Sequence, residues 1–90
     1  MRLVKLRIYG KVHRVGFRFS AMQQAYKIGV NGFVQNVDDG SIYIEAEGEE
    51  GKLEEFIAWC KAGPLGARID KILMEEGTVC NYPSFDIRER

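Results

Sequence analysis

Between residues 10 and 18 the chain reads Gly10-Lys11-Val12-His13-Arg14-Val15-Gly16-Phe17-Arg18. It follows a run with strand character and precedes one with helix character, and its composition suits oxyanion chemistry. The glycines let a backbone curl around a ligand. The first N–H groups of a helix have no partner within the helix, and the helix dipole makes that end attractive to anions. A terminal Arg18 adds two parallel guanidinium donors, which match phosphate oxygens. The following helix has no Ser, Thr, Asp or Asn at its start to cap it, so a ligand could satisfy those donors instead. A plain strand-to-helix turn with a surface arginine is the competing reading, because a short Gly-rich stretch is weak on its own. Asn36 is the second candidate. A neutral amide offers both donor and acceptor and is suited to holding a water molecule. Its plainer reading is a turn residue ahead of Asp38-Asp39-Gly40.

Periodicity sets out the elements that must position these groups. Val4, Leu6 and Ile8 alternate with polar or mixed neighbours, which predicts a strand. A helical pattern follows from Phe17 to Ile28, with Ala21, Met22, Ala25 and Ile28 on one arc and Gly29 as a left-handed cap. A second strand is expected from about Val30 to Val37, then a turn at Asp38-Asp39-Gly40. The third strand, Ser41 to Glu47, sets Ile42, Ile44 and Ala46 against Tyr43, Glu45 and Glu47, and Gly48 is expected to break it. Glu49 and Glu50 open a second helix whose buried face is Leu53, Phe56, Ile57 and Cys60, and Gly63-Pro64 stops it. A fourth strand is expected from Ala67 to Glu75, with irregular alternation that hints at a bulge. Gly77 to Pro83 reads as a loop, and Phe85 and Ile87 as a short last strand.

This β-α-β-β-α-β order with a short extra C-terminal strand predicts an α+β, ferredoxin-like split sandwich: an antiparallel sheet with two helices on one face. The first two strands, joined by a helix, must run parallel with a right-handed crossover. Their C-terminal ends then share one edge of the sheet, which lets Arg18 and Asn36 converge.

Composition narrows the possible functions. Ninety residues make a single domain, 1–90, with one modest core. Thirteen basic and 13 acidic residues give a formal net charge of zero, so no general electrostatic footprint for nucleic acid or an anionic membrane is expected. No apolar run forms a secretory leader or a membrane span, which suggests a cytoplasmic protein. One histidine and two distant cysteines make a metal site improbable, and Cys60 and Cys80 are expected to be free thiols.

The chain resembles the acylphosphatases. Their first motif, G-x-V-Q-G-V-x-F-R, is matched by Gly10, Val12, Val15, Phe17 and Arg18. Their second, G-[aromatic]-V-x-N-x-x-x-G, is matched by Gly32, Phe33, Val34, Asn36 and Gly40. Ala25, the Lys27–Val30 run, Gly63-Pro64, Arg68–Asp70 and Ser84–Arg88 extend the likeness over essentially the whole chain. The resemblance implies hydrolysis of the carboxyl–phosphate anhydride of acyl phosphates, without metal or cofactor, releasing inorganic phosphate. By that likeness Arg18 and the backbone N–H groups of His13, Arg14, Val15, Gly16 and Phe17 hold the phosphoryl group, and Asn36 positions the attacking water. The implied partner is a small-molecule acyl phosphate and the expected state a monomer. One departure stands out: His13-Arg14 replaces the family's Gln-Gly. An arginine held at positive φ would cost about 1–2 kcal/mol, or it could add an anion anchor at the mouth. Two other readings compete with catalysis. One is a weakened member that binds an anion or a protein without turnover. The other is an RNA-binding module of the same strand order, which would require exposed stacking aromatics in basic surroundings.

Overall fold

A computed structural model describes residues 1–89. The element order is β1 (Arg2–Lys11), α1 (Phe17–Ile28), β2 (Asn31–Asn36), β3 (Ile42–Gly48), α2 (Glu50–Ala62), β4 (Arg68–Gly77) and β5 (Phe85–Ile87). The strands form one sheet in the order β4-β1-β3-β2-β5. In β1, Val4, Leu6 and Ile8 face Ala46, Ile44 and Ile42 of β3 across the antiparallel register, and all six are fully buried. The inward side chains of the two helices cover this face. Phe17, Ala21 and Ala25 come from α1, and Leu53, Phe56, Ile57 and Cys60 from α2. The sandwich is the ferredoxin-like one that the element order predicts. Gly29 ends α1 at φ 101°, with its N–H donating to the Ala25 carbonyl at 2.8 Å.

Three local expectations are corrected. The sheet is mixed and not wholly antiparallel, because β5 pairs parallel to β2, Val34 opposite Ile87. Gly48 does not break β3 but ends it, paired with Arg2. A Cβ there would lie 3.1 Å from a methyl of Val30, so the glycine answers a close approach rather than a turn. Gly10 belongs to β1 and not to the turn. Beside it the β1–β4 register steps from Tyr9–Lys71 to Gly10–Ile69, so Asp70 is the extra residue of a bulge in β4. A Cβ on Gly10 would fall 2.0 Å from the Arg68 carbonyl oxygen, which explains the glycine there.

The third strand holds a further surprise. Alternation sets Glu47 on the polar face, yet it is 1% exposed. The segment between β4 and β5 folds over that end of the sheet. Its backbone N–H groups of Cys80 and Asn81 donate to Glu47 Oε1 at 2.9 and 3.2 Å, and Tyr82 N–H donates to Oε2 at 2.6 Å. One buried carboxylate thus satisfies three loop donors. Glu47→Gln keeps the shape but loses the charge and turns an NH2 toward N–H donors. It is expected to cost about 2 kcal/mol, read as a lower urea midpoint. An unchanged midpoint would show that Glu47 does not anchor the segment.

Candidate active site

The cradle lies at the C-terminal edge of β1, where the chain turns through residues 12–16 into α1. Gly16, at φ 74°, is the residue before the helix and no side chain caps it. The first α1 bond runs from Ser20 N–H to the Gly16 carbonyl at 3.0 Å, so the N–H groups of the preceding turn have no helical acceptor. No acidic residue occupies that first turn. The uncapped start expected from sequence is what the structure contains.

Arg14 has φ 62°, the left-handed region. Here the arginine takes up the conformation that a glycine would adopt without strain. The loop therefore keeps its curl at a conformational cost of about 1–2 kcal/mol. Arg14→Gly is expected to raise stability by no more than about 1 kcal/mol, because the relief of strain is offset by the greater unfolded-state entropy of glycine. Urea denaturation tests this, and a clear fall in stability would show that Arg14 makes a compensating contact.

The predicted loop residues divide in two. Arg14, Gly16 and Phe17 line a cavity of about 270 Å³ together with Arg18 and Asn36. His13 and Val15 brace the loop from behind. Val15 packs against the core. His13 Nε2–H donates to the Ser41 carbonyl at 2.8 Å, tying the cradle to the β2–β3 turn. That carbonyl also accepts from Val37 N–H at 2.9 Å, one residue beyond Asn36. The side chain that replaces the family's glutamine thus serves as a strut between the two halves of the site.

Asn36 ends β2, as the parallel β1–β2 arrangement requires. Its Oδ1 is a buried side-chain oxygen with no hydrogen-bond partner among the described residues. A buried amide oxygen left unpaired is costly unless a water or ligand reaches it. Arg18 is 36% exposed, with its Nη1 3.8 Å from Glu89 Oε1, a contact too long and too wet to hold it tightly. Cys60 offers no rival nucleophile, since burial pushes its thiol pKa up and keeps it protonated.

Sequence reasoning placed no site residue in the C-terminal segment, yet Ile87 and Glu89 line the same cavity, and Arg88 joins Arg18, Asn36 and Glu89 around a smaller one beside it. The signal that would have found them is the direction of β5. Run parallel to β2, it ends beside Asn36.

Fold and cavity together define an α+β sandwich with an uncapped helix start, a guanidinium and an unpaired amide gathered at one sheet edge. The family comparison agrees over nearly the whole chain: the acylphosphatase family model matches residues 4–87, and the protein belongs to that family. An acylphosphatase of Thermotoga petrophila is 40% identical over 88 residues, spanning 98% of both chains. The crystal structure of acylphosphatase from Bacillus subtilis superposes with a TM-score of 0.95 at 31% identity, covering 98% of this chain and 99% of that one. An acylphosphatase structure from Coxiella burnetii gives 0.92 at 29% identity, with 97% and 92% covered. The chain is an enzyme of the acylphosphatase family. Among the described residues no helix is long and apolar enough to cross a membrane.

Proposed function

We propose that this protein hydrolyses acyl phosphates to a carboxylate and inorganic phosphate, with Arg18 and the loop N–H groups holding the phosphoryl group and Asn36 directing the water. The observation that carries this reading is the unpaired Asn36 Oδ1 in the cavity that Arg18 lines. Oδ1 accepts a hydrogen bond from the water and aims its lone pair at phosphorus. As the new P–O bond forms, the bond from phosphorus to the acyl oxygen breaks, and the electron pair leaves on the carboxylate. The water's protons pass to the phosphate product and to solvent. A carboxylate is a good leaving group, so no strong base is required. Positioning and charge stabilisation of the transferring group supply most of the effect.

The second reading, an anion-binding module without turnover, draws on Arg14. Its φ of 62° weighs against that reading, since the loop curl survives the substitution. Against RNA binding stands the open sheet face. Glu45 sits there accepting from the Tyr43 and Tyr82 hydroxyls at 2.5 and 2.6 Å. Burial would raise its pKa, but the two phenol bonds together with the charges of Lys5 and Arg88 outweigh it and hold the carboxyl below its ordinary value. Arg88 already covers the Phe33 ring at 3.8 Å. Negative charge and an occupied ring both disfavour base stacking.

The test is turnover of acetyl phosphate beside calorimetric titration with inorganic phosphate. Hydrolysis with saturable phosphate inhibition is expected. Phosphate binding without hydrolysis would replace this function with the anion-binding one.

A further inference from the structure

The position of Phe19 in α1 carries an inference about the substrate. Phe17, Ala21 and Ala25 form the buried stripe of the helix. Two residues beyond Phe17, Phe19 is turned away from that stripe and is 56% exposed. It adds little to the core, and one exposed aromatic is ordinary on a protein surface. What distinguishes Phe19 is that it lines the cavity beside Arg18, with half-buried Ile87 as another wall. At about 270 Å³ the cavity is roomier than a tetrahedral phosphoryl group requires. Its floor is buried Val12 and Phe17; its exposed rim is Arg14, Gly16, Phe19 and Glu89.

In-line displacement sets the leaving oxygen opposite the attacking water. With water held at the buried Asn36 Oδ1, the acyl group leads away from that atom toward the exposed rim. That rim carries one cation, Arg14, and one anion, Glu89, so charge gives little preference for an ionised acyl group. Phe19 is the apolar side chain of that rim. We propose that Phe19, with Ile87, forms an acyl subsite that favours acyl phosphates with a neutral aromatic or broadly apolar acyl group over small ones. This rests on the acyl phosphate reading of the same cavity. The ring contributes by burial of apolar area and by ring–ring contact, both available only to a ligand large enough to reach it.

The experiment uses phosphonates, which carry the anion and cannot be turned over by this chemistry. By calorimetry the protein is expected to bind phenylphosphonate about five- to tenfold more tightly than methylphosphonate. Phe19→Ala is expected to bring that ratio within about twofold while inorganic phosphate affinity holds, and Phe19→Trp to retain it. The rate preference for benzoyl over acetyl phosphate in kcat/KM should fall in parallel. No phenyl preference in the parent, a preference that survives Phe19→Ala, or no phosphonate binding at all would overturn the subsite. Phenyl preference lost in Phe19→Ala while neither acyl phosphate is hydrolysed would support the subsite and overturn the hydrolytic reading.

Discussion

Arg18→Lys is expected to lose acyl phosphate turnover almost as completely as Arg18→Ala, each by about 10²- to 10³-fold. Lysine keeps the charge but not the planar fork, and a phosphoryl group passing through its transition state presents several oxygens at once. The contact of Arg18 with Glu89 is a long surface pair and would not hold a lysine in the place of the fork. The side chain is partly exposed, so both variants should fold normally, and circular dichroism would verify it. Initial rates with acetyl phosphate and competitive inhibition by inorganic phosphate give the result. A lysine variant with near-parental rate and phosphate affinity would remove Arg18 from the chemistry.

Asn36→Ala separates two roles that a rate alone confuses. If the amide aims the water and leaves the phosphoryl group to the cradle, turnover should fall about 10²-fold or more while inhibition by phosphate changes less than about twofold. Stability should hold or rise slightly, because Oδ1 has no partner to lose among the described residues. The opposite pattern, weakened phosphate binding with maximal rate intact, would reassign Asn36 to substrate binding.

The sequence discloses the parts of this site that depend on local pattern. Period-two and period-3.6 runs locate β1, α1 and β2 to within a residue or two, and the crossover rule brings Arg18 and Asn36 to one edge. What escapes it depends on contacts between distant segments. Gly10 looks like part of the cradle because glycine after a strand suggests a turn, whereas the bulge in β4 is what excludes a side chain there. Glu47 obeys a polar alternation, and only the segment that crosses it makes it a buried anchor. His13 reads as a member of the cradle, while the Ser41 carbonyl that turns it away lies 28 residues along the chain. Residues 87–89 become part of the site only through the parallel direction of β5, which no single strand pattern encodes. Arg14 is the converse case. Its left-handed backbone follows from the motif position, where the family carries glycine.

The interior place of β1 between β4 and β3 has a consequence for how the protein is made. Of the five strands of this sheet, β1 is made first and is flanked in the finished sheet by partners synthesised much later. Leu3 meets Glu47 on one side and Gly77 on the other. A nascent chain can form α1 early, because helical contacts are local, but β1 has to wait with its edges open until β3 and β4 have both been made. Such late, long-range closure makes for slow folding and leaves an apolar strand exposed in the interim. Asn36 and the 12–16 loop, which sit on β2 and after β1, can face each other only once β3 has bridged the two strands. Catalytic competence is therefore a property of the whole translated sheet, with no active fragment expected along the way.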